Sequence, residues 1–539
     1  MQKLKTALYG AAMTACLIAV PAMANPQVSM AGPAAATATV HFDVLLPLRH
    51  KDKLEALLKA QQDPNSAQFH KWLTPAQFAT QFGADKGTLE SVAKYLQSRG
   101  FAVKVQTRSV SVTGTAGHVD SNFGVQLRNA QSAAGSHYIM TNESVRLPKE
   151  LASAGAQIFS FAPHVSQVFS HATPLTSDRH KKVDNRYGDV GPYWFDDLKQ
   201  AYQYPAATDT VTVNGKSEPL NGKGATIAAL MSSDVLDSDI QALFDHEQWT
   251  AITGASADPA LWARVNINGG APFQAGSGAS LEASLDVQQE LTGAPGANVV
   301  LYNIPSLSDG DIITAYLDID EQDAVDLVSM SFGECELFYF PKYNGGQDYR
   351  GIPIAEHELF MQGNSEGITF LASSGDSAGE QCPSPAYFTG GPSRFKAGLQ
   401  VPADDPNVTA VGGTNLVTTS DGTLNSAYVS ENAWDDPEIP YDPYGVGVDV
   451  KGGEWGAGSG YSALWPAPDY QSLVNTGSKM RAVPDIGMQV GGCPGGIAKL
   501  HHGVCNGGND PKNGNGNSQR SAAVVGFGVN QGGGFYGVI

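Results

Sequence analysis

The segment Ile368–Gly379, I-T-F-L-A-S-S-G-D-S-A-G, joins a short apolar run to a glycine-rich polar turn. The run predicts a buried strand, and the turn places polar side chains at the end of that strand. Around Ser377, the letters G-D-S-A-G fit the G-x-S-x-G elbow that carries the nucleophile of an esterase. Around Asp376, the same letters place a carboxyl group where it could stabilise an oxyanion.

Apolar runs of the same kind recur along the second part of the chain. They lie at Ala225–Met231, Val299–Ile304, Ala324–Met330 and Val408–Val411. Longer helix-like or loop segments separate these runs. Strands buried on both faces and joined by helical crossovers form parallel sheets. From about residue 196 the sequence therefore predicts an α/β domain built on a mostly parallel sheet.

The front of the chain, residues 25–170, predicts a separate small α/β domain. Its expected elements are a strand at Thr39–Leu46, a helix at Lys51–Gln61, a helix opened by Thr74-Pro75 with Gln77 in a capping box, a helix at Lys86–Arg99 and a strand at Phe101–Ser111. Residues 171–195 are polar and of mixed charge, and they predict an exposed, cleavable linker. A spacer that is never cut is the alternative.

The N-terminus has the features of a secretory signal. Lys3 and Lys5 provide a basic start, Ala7–Val20 is apolar, and Ala22-Met-Ala24 fits the small-x-small cleavage rule. The apolar run is too short to span a bilayer. We therefore expect residues 1–24 to be removed and the protein to be exported, to the periplasm or the medium, with no membrane anchor.

Four cysteines remain after the signal, which predicts two disulfides in an oxidising compartment. Cys493–Cys505 is favoured because both flank one glycine-rich loop, and Cys335–Cys382 because each follows a buried strand. A zinc site is the weaker alternative, since no C-x-x-C occurs and His501-His502 lies in the same loop. We expect no metal site on this chain from these residues.

The charge balance excludes one class of partner. The chain carries 33 Lys and Arg against 53 Asp and Glu, a formal net charge of −20. Nucleic-acid binding needs a basic surface, so it is not expected. An acidic chain with few lysines also suits work at low pH, although solubility alone explains the balance equally well.

A second candidate for chemistry is the predicted helix Gly278–Leu291. It places Glu282 and Asp286 at i and i+4, on one face and one turn apart. Adjacent carboxyl groups repel when both are ionised, so such a pair tends to share a proton. Two acids on an exposed helix face are also ordinary, so the pair alone does not decide between the two possibilities.

The esterase interpretation of Ser377 lacks its usual companions. Glu380-Gln-Cys-Pro-Ser-Pro385 follows where a helix should begin, and no H-G-G-G loop precedes it. The downstream histidines are His501 and His502. The interpretation stays open as the weaker alternative.

Several segments, taken together and in order, resemble the sedolisins, the serine-carboxyl peptidases. They are Leu281–Gln288, Ala294–Ala297, Ser329–Glu336, Ser373–Ser377, Pro402–Thr414, Glu431–Trp434, Gly458–Ser462, Pro466–Gln471 and Arg481–Asp485, with Asp63–Ser66 and Phe69–Pro75 in the front domain. The resemblance runs from about residue 38 to 539. It implies a subtilisin-like, mostly parallel sheet preceded by a ferredoxin-like activation domain.

The resemblance also implies roles for three carboxyl groups. Glu282 would be the general base for a serine, Asp286 would orient Glu282, and Asp376 would help to form the oxyanion hole. A histidine base is protonated at roughly pH 3–4, whereas a glutamate can still accept a proton there. We therefore expect an acid-acting endopeptidase of polypeptides, monomeric, whose own activation domain covers the site until acid triggers cleavage in the linker.

One part of the family pattern is missing. The family carries its nucleophile in a G-T-S-x-x-x-P motif downstream of R-x-V-P-D, and G-T-S occurs nowhere in this sequence. We expect the chain to stop just before that serine, and the family's calcium site to lie beyond Ile539. As it stands, the chain would then be inactive. The alternative from another class is a non-catalytic secreted relative that binds peptides.

Overall fold

The computed structural model describes residues 28–132, 136–168, 170, 172–174, 191–206, 209–246, 262–384, 395–419, 426–436, 455–474, 476–491 and 522–538. The predicted signal peptide, Cys493, Cys505, His501 and His502 lie outside these residues.

The described helices follow one another in chain order. They are α1 (Lys51–Gln62), α2 (Pro75–Gln81), α3 (Lys86–Ser98), α4 (Ala116–Phe123), α5 (Lys149–Ser153), α6 (Phe195–Ala201), α7 (Asp237–His246), α8 (Gly278–Gly293), α9 (Asp309–Gln322) and α10 (Gly351–Glu366). Short 3₁₀ helices lie at Ile267–Gly269, Glu336–Tyr339, Pro341–Tyr343, Asp469–Leu473 and Val529–Gln531. No helix in the described part of the chain is long and apolar enough to cross a lipid bilayer.

The strands of the front part are β1 (Val28–Pro33), β2 (Thr39–Leu45), β3 (Ala102–Val105), β4 (Ser109–Thr115), β5 (Arg128–Ser132), β6 (His137–Met140) and β7 (Ala172–Pro174). The remaining strands are β8 (Thr210–Val213), β9 (Lys216–Pro219), β10 (Thr226–Met231), β11 (Trp262–Asn266), β12 (Asn298–Asn303), β13 (Leu327–Met330), β14 (Glu334–Cys335), β15 (Thr369–Ser373), β16 (Cys382–Pro383), β17 (Phe395–Lys396), β18 (Gln400–Val401), β19 (Val408–Thr418), β20 (Tyr428–Ala433), β21 (Asp435–Asp436), β22 (Trp455–Gly456), β23 (Gly460–Pro466), β24 (Met480–Val483), β25 (Ile486–Gln489), β26 (Ala523–Phe527) and β27 (Gly534–Val538).

The front α/β unit has the strand order of a ferredoxin-like sheet. β2, β4 and β3 pair antiparallel in that order. Leu45 and Gln157 exchange two backbone hydrogen bonds in an antiparallel bridge, which adds a fourth position to the sheet beside β2. The helices α3 and α4 follow the strands β2 and β4, and Phe42 packs at the centre of the core with ring centroids of Phe101, Phe123 and Phe161 at 5.3–5.6 Å.

Most of the predicted front elements form where expected, and one differs. The capping box of α2 is present, with Thr74 and Gln77 each bonding the other's backbone. The single strand predicted at Phe101–Ser111 is wrong, because the chain turns back between β3 and β4. The turn, in which the Gln106 amide donates to the Ser109 carbonyl, lets Arg108 reach Glu358 at 2.7 Å.

The larger sheet confirms the predicted α/β class. Its order is β11-β12-β10-β13-β15-β19-β20, and β25 also pairs with β19. The pairs from β11 to β19, and β19 with β25, are parallel, whereas β20 is antiparallel. The predicted runs form β10, β12, β13, β15 and β19, of which β13 is shorter and β19 longer than expected.

Both faces of the sheet are covered, which explains why its strands are apolar throughout. Ala228, Ala229, Leu230 and Met231 of β10 are all fully buried. The helix α8 packs on β10 and β12, and α10 packs on β15. With helices on both sides, neither face of a strand can remain polar.

The segment predicted as a linker is ordered at both described ends. Its start forms β7, which pairs antiparallel with β27, and β27 in turn pairs with β26. At its end, Tyr193 and Trp194 are buried directly before α6. Residues 175–190 lie outside the described part, so cleavage there stays a prediction.

Candidate active site

A cavity of about 410 Å³ opens where the parallel strands β13 and β15 end. The two strands pair in register, with Met330 opposite Ala372, so Ser331 and the S-S-G-D turn leave the sheet side by side. Ligand sites of parallel α/β sheets lie at the carboxyl ends of strands. The cavity therefore occupies the edge where this architecture favours chemistry.

The helix α8 forms one wall of the cavity and brings two of the predicted site residues to it. Glu282 and Asp286 both line the cavity, one turn apart on α8. Asp286 is 8% exposed, and the Ser331 hydroxyl donates a hydrogen bond of 2.8 Å to its Oδ1. The structure thus places the two acids on one face of the helix, as their i, i+4 spacing predicts.

The third predicted residue, Asp376, lines the same cavity from the turn after β15. The turn needs glycine at position 375, where φ is +105° and a Cβ would lie 2.4 Å from Gln381 Oε1 and 2.7 Å from Gln400 Cγ. Only glycine adopts this conformation without strain. We call Glu282, Asp286 and Asp376 together the cavity acids.

The surroundings of the cavity acids raise their pKa values. Burial raises the pKa of Asp286 and of Asp376 to about 7 each, although the Ser331 hydrogen bond opposes the shift at Asp286. Burial, followed by the charges of Asp286 and Asp376, raises the pKa of Glu282 well above its usual value. The charges of both aspartates therefore favour the protonated form of Glu282.

Three further polar residues, in or next to the cavity, were not predicted from the sequence. Ser331 orients Asp286, and Ser170 lies on the cavity wall, where its hydroxyl lowers the pKa of Glu282 and donates to the Gly278 carbonyl at 3.3 Å. Glu290 continues the row of acids at i+8, and burial together with the charge of Asp286 raises its pKa. The spacing E-x-x-x-D-x-x-x-E was visible in the sequence, whereas the two serines belong to distant segments.

The geometry around Ser377 does not resemble a nucleophile elbow. Its side chain is 4% exposed. The described residues 374–384 form turns and the short strand β16 rather than a helix. An elbow serine needs an exposed hydroxyl at the start of a helix. The structure therefore offers no support for the esterase interpretation.

The predicted disulfide Cys335–Cys382 is present, with its Cα atoms 5.4 Å apart. It joins the segment after β13 to the segment after β15, so it ties together the two loops that border the cavity. The other predicted pair, Cys493–Cys505, lies outside the described residues and stays a prediction.

Several of the motif residues brace the fold rather than line the cavity. Glu336 accepts hydrogen bonds from Ser462 Oγ at 2.8 Å and from the Leu399 amide at 2.9 Å. Arg481 is buried and pairs with Asp485, four residues further along the R-A-V-P-D segment. These contacts hold the segments that surround the sheet.

One group of potential metal ligands occurs among the described residues, namely His164, Asp309 and Glu334. None of the three lines the cavity. The group does not fit the calcium that the resemblance implies, because calcium prefers oxygen ligands alone and one member here is a histidine. No calcium ligand is assigned on this chain, and no step below uses that ion.

Comparison with known proteins identifies similar sequences over most of the chain. The family described as Pro-kumamolisin, activation domain, matches residues 26–169. Sedolisin from Pseudomonas sp. (strain 101) is 27% identical over 470 residues, which cover 84% of this chain and 70% of that protein. Kumamolisin from Bacillus sp. (strain MN-32) is 26% identical over 485 residues, covering 86% and 75%.

Xanthomonalisin from Xanthomonas sp. (strain T-22) is 24% identical over 488 residues, which are 85% of this chain and 54% of that protein. The match at the front of the chain is to an activation domain, and the matches to whole proteins continue through the sheet that carries the cavity acids. Over most of its length the chain is thus similar to sedolisin-type serine-carboxyl peptidases, and its front matches an activation domain of this class.

Proposed function

We propose that this chain is the precursor of an exported, acid-acting serine-type endopeptidase that cleaves polypeptides. The observation that carries the proposal is the meeting of Glu282, Asp286 and Asp376 in one cavity at the strand ends. The proposed division is a signal at 1–24, an activation domain at 25–170, a cleavable linker at 171–195 and the peptidase domain from 196.

In the proposed reaction, Glu282 accepts the proton of a serine hydroxyl as that oxygen attacks the peptide carbonyl. Asp286, held by Ser331, orients Glu282 and shares its remaining proton. Asp376 donates a hydrogen bond to the oxyanion and must be protonated to do so. Its pKa of about 7 supports this role, because the donor is then present throughout the acid range.

A base must be ionised, and in the precursor the raised pKa of Glu282 keeps it protonated. Burial is the largest cause of that shift. Gln167, Val168 and Ser170 form part of the cavity wall, so displacement of their segment would admit water. The Glu282 pKa would then fall toward its usual range, and the base would become available only after activation.

We assign no serine of this chain as the nucleophile. Ser331 already donates its proton to Asp286, which makes it a positioning residue, and Ser377 is buried. The test compares the 539-residue chain with the product of the same gene read on to its first stop codon. Where that reading adds a G-T-S segment, we expect its product to hydrolyse a denatured protein at roughly pH 3–5, the range in which a glutamate base still works.

The same assay tests the roles of the cavity acids. Glu282→Gln should lower kcat by roughly 10²–10⁴-fold, as expected for loss of a general base. Glu55→Gln, on the exposed face of α1, is the matched control and should leave kcat unchanged. Full activity of Glu282→Gln would refute the assignment.

Two further outcomes separate the alternatives. Absence of hydrolysis by either product would favour a non-catalytic relative that binds peptides. Ester hydrolysis at neutral pH that Ser377→Ala abolishes would favour the esterase.

A further inference from the structure

Three side chains from distant parts of the sequence meet where the end of the front unit joins the larger sheet. His164 precedes the cavity-wall segment, Asp309 is the first residue of α9, and Glu334 opens β14. Their exposures are 0%, 1% and 0%. One potential ligand atom from each lies within 4.8 Å of the others. We call these residues the enclosed triad.

The backbone around the enclosed triad is fixed on both sides. The Ser166 amide donates to the Leu307 carbonyl at 2.8 Å, and Gln167 and Gly333 exchange two hydrogen bonds of 2.9 and 3.0 Å. The three side chains therefore cannot drift apart without breaking an ordered junction. A preorganised group of ligands loses little entropy when it binds an ion.

Each member of the enclosed triad retains a polar atom without a hydrogen-bond partner in the described structure. The atoms are Nε2 of His164, Oδ2 of Asp309 and Oε2 of Glu334. A buried polar atom left without a partner costs about 1–3 kcal/mol. Three such atoms on neighbouring buried side chains indicate that a partner belongs there.

The other atoms of the triad already have partners that orient them. His164 Nδ1 lies 3.1 Å from Glu334 Oε1, and the Tyr339 hydroxyl donates to Asp309 Oδ1 at 3.1 Å. The His164 ring also stacks on Tyr339 with centroids 4.7 Å apart. Such outer contacts fix the orientation of metal ligands in known sites.

The chemistry of the triad selects the kind of ion. Three atoms within 4.8 Å of one another share a centre at most about 2.8 Å from each, so shifts of about 0.7 Å reach zinc-ligand distances of ~2.0–2.2 Å. The nitrogen ligand disfavours calcium and magnesium, and two carboxylates balance a divalent charge.

A single proton shared between two of these three atoms would leave the third without a partner. Glu356 is a nearby buried acid on α10 rather than a compensating cation, and its own Oε2 lacks a partner. A cation shared by the triad would provide a partner for the unpartnered atoms of all three residues.

We propose that His164, Asp309 and Glu334 bind one divalent transition-metal ion, zinc in the first place, which ties the end of the front unit to the larger sheet. The ion is structural, because the site is enclosed and separate from the cavity acids. The proposal does not depend on the chain hydrolysing peptides.

The test measures zinc in the full precursor. The protein is stripped with a chelator, incubated with zinc, freed of unbound metal by gel filtration at neutral pH and analysed by elemental mass spectrometry. We expect about one more zinc per chain in the wild type than in His164→Gln or Glu334→Gln, and a rise in Tm on adding zinc that both variants lack.

The matched control is His357→Gln, which removes a histidine paired with Asp405 at 2.9 Å elsewhere in the same region. It should retain zinc at the wild-type level. Because His501 and His502 are present in every protein compared, any metal that they take up cancels from the difference. Equal zinc content and equal Tm shifts in wild type and His164→Gln would overturn the proposal.

Loss of folding in the glutamine variants would not leave the question open. Cobalt is then added to the stripped wild-type precursor, and its visible spectrum is recorded. Intense bands of a four-coordinate, nitrogen-containing site support the proposal, whereas the weak spectrum of hydrated cobalt overturns it. Tyr339→Phe removes the hydroxyl that bonds Asp309 and also interacts with Glu334, and it should weaken zinc affinity roughly 10–100-fold.

Discussion

The cavity acids and the enclosed triad are two groups of buried ionisable residues in one molecule, and they differ in access. The cavity acids line a space of about 410 Å³, whereas the residues of the triad do not line that space and are at most 1% exposed. Burial raises carboxyl pKa values in both groups. Burial of ionisable groups therefore marks both sites as unusual. Access to a cavity distinguishes a site that can take part in catalysis from one that can only hold a bound ion.

The disulfide borders both groups, so its loss should have the largest effect on stability. Cys335 is adjacent to Glu334, and Cys382 follows the turn that carries Asp376. A cross-link across 47 residues stabilises by about 4 kcal/mol through the unfolded chain. Urea unfolding of the double variant Cys335→Ala/Cys382→Ala should show a loss of this size. An unchanged unfolding free energy would mean that neither loop depends on the cross-link.

The two groups should respond differently to removal of one acid. Glu334→Ala leaves His164 Nδ1 buried without its partner and should cost about 1–3 kcal/mol in urea unfolding at neutral pH. Glu282→Ala removes a carboxyl group whose charged form is disfavoured, so it should change stability by less than about 1 kcal/mol. Equal losses of unfolding free energy in the two variants would contradict this difference between the two groups.

The cavity acids should make the fold less stable as the pH rises. Asp286 has a pKa of about 7 when folded and about 3.9 when unfolded, so the unfolded chain releases its proton first. The contribution of Asp286 to stability is therefore lost between about pH 4 and pH 7. In Asp286→Asn the difference in unfolding free energy between pH 4 and pH 6 should shrink by roughly 2 kcal/mol. A pH dependence identical to that of the wild type would contradict the burial of this charge.

The smallest effect concerns the hydroxyl that orients Asp286. Ser331→Ala removes the 2.8 Å hydrogen bond and should cost about 1 kcal/mol while raising the Asp286 pKa further, as followed by carboxyl ¹³C NMR. Ser374→Ala is the control on the same cavity wall, since its buried hydroxyl has no hydrogen-bond partner in the described structure. The assignment of Ser331 fails if both substitutions behave alike.

The sequence predicted features that depend on neighbouring residues. The i, i+4 spacing brought Glu282 and Asp286 to one face because α8 is regular, and Thr74 and Gln77 cap α2 within four residues. The apolar runs became strands because helices cover both faces of the sheet. The pairing of Cys335 with Cys382 followed from their positions after two strands that turned out to be adjacent.

Features that depend on the register of distant segments were not predictable. Ser331 reaches Asp286 only because β13 lies between β10 and β15 in the sheet. His164 meets Glu334 only because Gln167 pairs with Gly333, 166 residues further along the chain. Single-sequence patterns carry the period of an element but not the partner that it packs against.

The strand β7 covers a sheet edge that the proposed maturation would expose. Its three residues pair with the outer side of β27, whose other side pairs with β26. A cut within 175–190 would leave β7 on the released piece, held by its backbone pairing with β27 and by the packing of Ala172. When the piece departs, β27 gains an open edge with unpaired amides and carbonyls, which is a template for adding a strand from another molecule. Maturation would thus expose an unpaired, association-prone strand edge at the same time as it opens the cavity.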